Sequence, residues 1–247
     1  MRDVKEICRL MRGSELFVGI PKSEIEEIVS RARSLEFASG DVIHSADDRI
    51  TQVLLLMDGR VKMSQLSESG QEVVLRLGVP GETISVSTLL PNRKHSSTAL
   101  ALQACKVLAW ESGNFNAMAE RFPVLQKNVG LILKSRLADL TQRFCEFSTR
   151  GASSRLAISL IYLADRIGER VDDHIELRVS QEILGQMIGI TFNSAWRLLS
   201  IWKGQGIVKV RRGTIEIHNI PYLLSCAQLI YASTQVGQGD EVIASDV

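Results

Sequence analysis

The segment Val179–Asn219 carries the most restrictive pattern in this 247-residue chain, two short helices around a glycine turn. Ser180 is placed to cap the first helix, and Gly189 can take the left-handed conformation that ends it. Thr191 is placed to cap the second helix, and Gly185 leaves room for the two helices to cross closely. A helix, a short turn that contains glycine and a second helix make up a helix-turn-helix.

A β-hairpin with a basic tip follows the second helix. Its predicted strands, 207–210 and 214–218, flank the turn Arg211-Arg212-Gly213, so the segment predicts a winged helix-turn-helix. The whole chain has a net charge of +1, yet the stretch from Arg178 to Gly213 holds six basic residues against the single acid Glu182, a local charge of +5. Such a stretch in a neutral protein indicates a phosphate-binding face, and the alternative is a solvated surface.

The second helix is predicted to enter the major groove of DNA with the outer side of its N-terminal half. Arginine pairs there with guanine, asparagine pairs with adenine, and an aromatic ring can contact a thymine methyl group. The predicted base contacts are Phe192, Asn193, Trp196 and Arg197, with packing on the wing or a backbone sugar as the alternative for the tryptophan. The predicted phosphate contacts, which add affinity and salt dependence but little sequence information, are Ser180, Thr191, Lys203, Arg211 and Arg212.

Short β segments broken by glycine turns fill the stretch from Leu35 to about Trp110. Asp58-Gly59 is a strong hairpin signal, and the turns recur about every ten residues, a spacing that favours a small antiparallel barrel or roll. Ahead of this stretch, Ser23 and Glu26 form the pattern of a capping box, which predicts a short helix that ends near Arg33.

A long helix is predicted from Phe122-Pro123 to about Ser148. It is more than twice as long as the mean helix, and its apolar positions recur every 3.5 residues over about three heptads, as the seam of a two-stranded coiled coil requires. The alternative is that the stripe packs into the core of its own domain. The predicted dimer seam is Val129, Leu133, Arg136, Leu140, Phe144 and Phe147.

Together these elements predict an α+β chain. We expect an N-terminal antiparallel β-roll of the double-stranded β-helix or jelly-roll type, a long dimerisation helix and a C-terminal winged helix-turn-helix. The predicted divisions are an N-terminal helix and sensor roll over 1–121, the dimerisation helix over 122–149, the DNA-binding domain over 150–231 and a loose tail over 232–247.

Composition and motif content exclude several other classes of protein. No run of about 18 apolar residues is present, and the N-terminus shows no secretory pattern, so we expect a cytoplasmic protein without a membrane partner. The four cysteines lie far apart, unlike those of a disulfide scaffold, a zinc ribbon or a cysteine-only iron–sulfur site. The sequence contains no catalytic triad, Walker loop or H-E-x-x-H motif, so we expect neither an enzyme nor a metal site.

The order of these parts resembles the CRP/FNR family of bacterial transcription regulators over roughly residues 15–225. The resemblance implies a homodimer that binds a two-fold-symmetric, palindromic operator in double-stranded DNA and contacts RNA polymerase. The segments that carry it are Leu16-Phe17-x-Gly19-Ile20, Ser39-Gly40-Asp41-Val42-Ile43, Met57-Asp58-Gly59-Arg60-Val61, Pro80-Gly81-Glu82 and Gln181-x-x-Leu184-Gly185-x-x-Ile188-Gly189 with Arg197.

The chain departs from the members of that family that bind cyclic AMP. Those members carry a glutamate for the ribose hydroxyl and an arginine for the cyclic phosphate, where this chain has Ser85-Val86 and Ser96-Ser97. Leu140-Thr141 stands where nucleotide-binding members place two hydroxyls that face the purine. We therefore expect a regulator that is not controlled by cyclic AMP. Asn193 also replaces the glutamate that is usual in the family's recognition helix, so the usual operator half-site is not expected.

The signal that the protein senses is left open by the sequence, and no cofactor is assigned. An oxygen-sensing cluster of the FNR type needs several closely spaced N-terminal cysteines, whereas Cys8 stands alone, and the haem-binding branch places Cys and His where this chain has Ser85 and Ser87. His44 and His95 remain candidate haem or metal ligands. An apolar effector is expected near Val86, Leu137, Leu140, Thr141 and Phe144.

Three alternatives stay open. In the first, the protein uses no ligand and its abundance sets its activity. In the second, its helix-turn-helix binds DNA only when an effector or haem is bound. In the third, the helix-turn-helix serves protein contacts only.

Overall fold

The computed structural model describes residues 13–86 and 94–228. The chain divides into two compact units, Met1–Arg143 and Phe144–Val247. Cys8, Ser87 and the predicted tail over 232–247 lie outside the described residues.

The described part of the first unit is built on two four-stranded antiparallel sheets. Its strands are β1 (Arg33–Phe37), β2 (Val42–His44), β3 (Gln52–Asp58), β4 (Val61–Leu66), β5 (Glu72–Gly78), β6 (Thr83–Ser85), β7 (Thr98–Ala101) and β8 (Cys105–Glu111). The strand orders are β1-β8-β3-β6 in one sheet and β2-β7-β4-β5 in the other. Gly59, with φ +97°, makes the predicted turn from β3 to β4, where a Cβ would come within 2.5 Å of the Ala104 carbonyl oxygen. The predicted antiparallel roll is therefore confirmed.

A short 3-10 helix and three α-helices belong to this unit in whole or in part. They are Glu15–Phe17, α1 (Lys22–Ser30), α2 (Ser112–Arg121) and α3 (Pro123–Thr149). The predicted capping box is wrong, because α1 begins one residue before Ser23 and its N-cap is Pro21, which offers no side-chain acceptor. The helix also ends at Ser30, so that β1 can begin at Arg33.

The first half of α3 is part of the core of the first unit. Leu125, Val129 and Ile132 are buried beside Trp110, whose indole Nε1 donates a 2.7 Å hydrogen bond to the Ile28 carbonyl. Burial of these side chains removes apolar area from water and fixes the start of α3 on the roll. The first half of the helix predicted over 122–149 therefore shares the core of the first unit.

The second unit combines helices with a small antiparallel sheet. After the end of α3 it contains α4 (Ala152–Ile167), β9 (Glu169–Val171), β10 (His174–Leu177), α5 (Gln181–Ile188), α6 (Phe192–Gly204), β11 (Val208–Arg211), β12 (Thr214–Ile217) and α7 (Ile220–Gln228). The strand order is β11-β12-β10-β9. The predicted α+β class and the winged helix-turn-helix are confirmed. Within the described ranges, no helix is both long and apolar enough to cross a membrane.

Two histidines stack inside the roll and make its stability depend on pH. The rings of His44 and His95 lie 3.6 Å apart between centroids, and burial followed by repulsion from His95 lowers the pKa of His44 to about 4. An unfolded histidine titrates near pH 6.5, so the unfolded chain binds more protons between these two pH values. The free energy of unfolding should therefore decrease by up to about 3 kcal/mol as the pH falls from 6.5 to 4.

Urea unfolding of the full chain between about pH 7 and pH 4.5 measures this effect. A His44→Gln variant should show a shallower dependence on pH. Equal slopes in the two proteins would contradict the assignment to this histidine.

Candidate nucleic-acid interface

Caps on both helices define the helix-turn-helix. The Ser180 hydroxyl accepts a 3.2 Å hydrogen bond from the Ile183 amide, and the Thr191 hydroxyl accepts one of 3.2 Å from the Ser194 amide. Gly189 adopts φ +66° and ψ +43°, the left-handed conformation that ends α5. The local signals that predict this motif are therefore those that form it.

Gly185 determines how closely the turn packs on α5. A Cβ at this position would lie 2.9 Å from the carbonyl oxygen of Ile190 and 3.7 Å from the Cβ of Ala195, on α6. The first distance is shorter than a normal contact, and the obstacle is backbone that cannot move alone. A side chain here would shift the recognition helix α6 relative to α5.

A Gly185→Ala variant should lower the free energy of unfolding by about 1–3 kcal/mol, as overpacked sites do. Gly130 is the matched control, because it also lies inside a helix but has open space around its Cβ position. Gly130→Ala should stabilise the protein by about 0.5–1 kcal/mol through helix propensity alone. Urea unfolding followed by circular dichroism measures both, and equal effects would contradict the close-packing argument.

The predicted base-contacting side chains lie on the outer surface of α6. Phe192 and Trp196 are 52% and 55% exposed, and Asn193 and Arg197 are also exposed. The opposite side of the helix is buried through Ala195, Leu199 and Trp202. All four predicted side chains are therefore accessible to DNA.

Trp196 and three of the predicted phosphate contacts line a groove between α6 and the wing. The groove has a volume of about 300 Å³. Lys203, Arg211 and Arg212 line it together with Trp196 and Val210. The Trp196 ring therefore lies on the side of α6 that faces the wing, in line with the alternative that this residue packs on the wing.

The wing holds a buried carboxylate that the sequence reading overlooked. Glu216 on β12 is 1% exposed, its Oε1 lies 2.6 Å from Nε of Arg211, and its Oε2 lies 3.4 Å from Nζ of Lys209. Burial raises the pKa of Glu216, but His218, Arg211 and Lys209 more than offset this and hold the pKa below its ordinary value. The carboxylate is thus charged and holds two cations of the basic hairpin.

The dimer seam has to be corrected at the side of α3 that faces its own unit. Val129 is only 2% exposed, and Arg136 donates to the hydroxyl of Thr83 at 2.6 Å and to its carbonyl oxygen. Burial, followed by repulsion from Arg76, lowers the pKa of Arg136 to about 10, so the guanidinium stays charged at neutral pH. Val129 is therefore buried within its own unit, and Arg136 is held by Thr83.

Phe147, which is 39% exposed, also contacts the helix-turn-helix. Its ring packs so close to Gly189 that a Cβ there would lie 2.5 Å from the ring atom Cε1. The guanidinium of Arg155 lies 4.9 Å from the ring centroid, and its Nε donates a 3.1 Å hydrogen bond to the Ile188 carbonyl. Phe147 therefore supports the turn of the helix-turn-helix.

The exposed apolar stripe of α3 differs from the predicted seam. Leu137, Leu140 and Phe144 are 66%, 48% and 72% exposed, and Leu133 is half-buried. These residues recur at intervals of four, three and four, as a coiled-coil seam does. We call this set, Leu133, Leu137, Leu140 and Phe144, the exposed stripe.

The residues of the predicted effector pocket differ in their burial. Val86 is 1% exposed within the core of the first unit, whereas Leu137 and Leu140 point into solvent. The Thr141 hydroxyl donates to the Leu137 carbonyl of its own helix at 2.9 Å. An effector site at these residues stays a prediction.

Comparisons with known proteins agree with both halves of the architecture. The family described as "Cyclic nucleotide-binding domain" matches residues 34–122, and "Crp-like helix-turn-helix domain" matches residues 154–226. The chain is 25% identical over 213 residues to the "Cyclic AMP receptor protein" of Thermus thermophilus, covering 86% of this chain and 96% of that protein. It is 23% identical over 210 residues to the "Transcriptional regulatory protein btr" of Bordetella pertussis, covering 83% and 86% of the two chains. The solved structure of the c-di-GMP responsive global regulator CLP from Xanthomonas campestris aligns with a TM-score of 0.72 at 16% identity, covering 81% of this chain and 100% of that one.

Proposed function

Because the chain belongs to the CRP/FNR family of transcription regulators, we propose that it acts as a homodimer that binds a palindromic operator and contacts RNA polymerase. The observation that carries this proposal is the outer surface of α6, which presents Asn193, Trp196 and Arg197 to solvent beside a basic wing. We place this role in the cytoplasm and without catalysis, in keeping with a relative named as a transcriptional regulatory protein.

Sequence reading is assigned to the N-terminal half of α6. The Arg197 guanidinium can donate two hydrogen bonds to the O6 and N7 atoms of guanine, which is the commonest specific contact in the major groove. The Asn193 amide can pair in the same way with adenine. We expect an operator half-site that contains a guanine read by Arg197 and that differs from the family's usual one at the position read by Asn193.

Affinity without sequence information is assigned to the cations of the groove and the wing. Lys203 and Arg212 are exposed, and they flank the recognition helix from its C-terminal end and from the hairpin tip. Arg211 is exposed as well but shares the carboxylate of Glu216. The Ser180 and Thr191 hydroxyls already accept the capping bonds, so their contribution to phosphate binding is restricted to their remaining hydrogen-bonding capacity.

The exposed stripe of α3 is assigned to the partner copy. Large apolar side chains that stay in water at coiled-coil spacing are typical of a helix that pairs with another helix. A second copy of this chain offers the same stripe, as two-fold symmetry requires. Two recognition helices related by a two-fold axis would then read the two halves of a palindrome.

We propose that cyclic AMP does not control this protein. Val86 and Ser96, at the places of the family's carboxylate and arginine, supply neither charge, and Val86 is buried. Arg76 is paired with Glu82 at 3.0 Å and bonds to the carbonyl of Thr83, to which Arg136 also donates. Neither arginine therefore substitutes for the missing phosphate ligand in this arrangement.

Salt dependence of DNA binding tests the proposal. Fluorescence anisotropy with a labelled mixed-sequence duplex should show an affinity that falls steeply with salt, because each phosphate that the protein neutralises releases counterions. If the helix-turn-helix mediates only protein contacts, no salt-dependent affinity for DNA is expected. Absence of salt-dependent binding in the purified protein would contradict the proposed function.

A further inference from the structure

Four metal-ligating side chains form a square on one face of the sheet in the second unit. Strand β10 contributes His174 and Glu176, β12 contributes Glu216, and His218 follows directly after β12, so the two types of residue stand in mirror-image order. Glu176 stands directly opposite Glu216 in the antiparallel register. The rings of His174 and His218 stack beside them, with centroids 4.9 Å apart.

The ligand atoms of three of these side chains lie close enough to share one ion, and His218 adjoins one of the three. Those of His174, Glu176 and Glu216 all lie within 4.8 Å of one another. His174 Nε2 is 3.6 Å from the Oε1 of Glu176, and His218 Nε2 is 3.3 Å from the Oε2 of Glu216. Small movements of these side chains would bring two imidazole nitrogens and two carboxylates to the distances of about 2.0–2.2 Å that Zn²⁺ requires.

Two features of the square favour a bound cation. Carboxylates directly opposite each other on neighbouring strands repel, although Lys209 and Arg211 hold that of Glu216. The Nε2 of His174 is buried and has no hydrogen-bond partner among the described residues. An unpaired buried nitrogen of this kind costs free energy that a metal–ligand bond would recover.

We propose that His174, Glu176, Glu216 and His218 bind a divalent first-row transition cation in the sheet behind the wing. Two imidazoles and two carboxylates are borderline and hard donors that suit Zn²⁺ and similar ions. Asp173, 88% exposed with its Oδ1 3.3 Å from the Nδ1 of His174, orients that ring from its other nitrogen. This inference does not depend on the proposed function, since it concerns the cation alone.

The cation competes with the wing for Glu216. Lys209 and Arg211 hold that carboxylate now, and their side chains are 52% and 59% exposed. Both can turn into solvent when an ion takes the carboxylate, because neither side chain is enclosed. Removal of the competing arginine should therefore strengthen cation binding.

Titration of the metal-free full-length protein with Zn²⁺ against a chromophoric chelator tests the site. We expect one ion per chain, and a decrease in affinity of about tenfold or more in each of His174→Gln, His218→Gln and Glu176→Gln. His95→Gln is the matched control, because it removes one of the stacked histidines of the roll and should leave the affinity unchanged. Arg211→Gln should bind Zn²⁺ more tightly than the wild type.

Proton NMR of the four histidine rings gives a readout that does not depend on the affinity. Zn²⁺ should shift the signals of His174 and His218 and leave those of His44 and His95 in place. Shifts confined to the roll histidines, or unchanged binding in a His174→Gln, His218→Gln double variant that retains the circular dichroism of the wild type, would overturn the proposal. Failure to bind one Zn²⁺ per chain would overturn it as well.

Discussion

A Leu137→Glu, Leu140→Glu double variant is expected to sediment as a monomer and to bind a palindromic duplex about 10²–10⁴-fold more weakly than the wild type. Both leucines belong to the exposed stripe, and a carboxylate at each would place like charges against each other in a two-fold helix pair. The loss of DNA affinity follows because the second recognition helix would no longer be tethered to the first. Sedimentation velocity and anisotropy measure the two effects.

Leu131 offers a control on the same helix. It is 52% exposed, comparable with the 48% of Leu140, but it lies about 150° around the helix axis from the middle of the stripe. Leu131→Glu should therefore stay dimeric and keep its affinity for DNA. A double variant that remains a dimer, or a control that dissociates equally, would show that α3 pairs through another face or does not pair.

Replacement of Arg197 by alanine is expected to remove about 1–3 kcal/mol of discrimination at one base position of each half-site. The exposed guanidinium is assigned to a guanine, so the variant should accept other bases there while it keeps its preferences elsewhere. Competition of each single-base operator variant against the preferred sequence measures the change. The effect should be confined to one symmetric pair of positions.

Lys203→Ala is the control for this substitution. Lys203 is exposed at the far end of α6 and is assigned to phosphate, so its loss should weaken binding to all sequences about equally and reduce the salt dependence. A sequence profile that Arg197→Ala leaves unchanged, or that Lys203→Ala alters at one position, would contradict these assignments.

The helix-turn-helix was predictable because its signals are local. Ser180, Gly189 and Thr191 act on backbone groups within three or four residues, and the structure shows the two capping bonds and the left-handed turn that those residue types favour. Exposure of Arg197 follows from the burial of Ala195 and Leu199 on the opposite side of a helix. Such features need no knowledge of the rest of the chain.

The seam of α3 was only partly predictable because two apolar stripes share one helix. Val129 and Leu140 both fit a 3.5-residue repeat, but the helix advances 100° per residue, so a straight helix drifts off that repeat. The drift carries the first half of the repeat onto the roll and the second half into solvent. Periodicity cannot tell which stripe belongs to which neighbour, and the burial of Val129 in the same hydrophobic core as Trp110 and Ile132 decides it.

Glu216 was not predicted as a functional residue of the wing because its contacts depend on the long-range register of the strands. Glu216 appears as one more polar position in a strand, and nothing local places it against Arg211 or beside Glu176. One strand carries His174 and Glu176, and the other segment carries Glu216 and His218. This pattern indicates a metal site only when the register that aligns the two strands is known. Burial of Val86 likewise depends on the whole core, so it could not be predicted from the local sequence.

Selection of bound duplexes from a random DNA pool, with purified protein and no added ligand, tests the dimeric reading of DNA most directly. We predict enrichment of a palindrome whose half-sites lie about one helical turn, or 10–10.5 base pairs, apart. Each half-site should contain a guanine at the position read by Arg197. Enrichment of an asymmetric single site, or of no sequence at all, would contradict it.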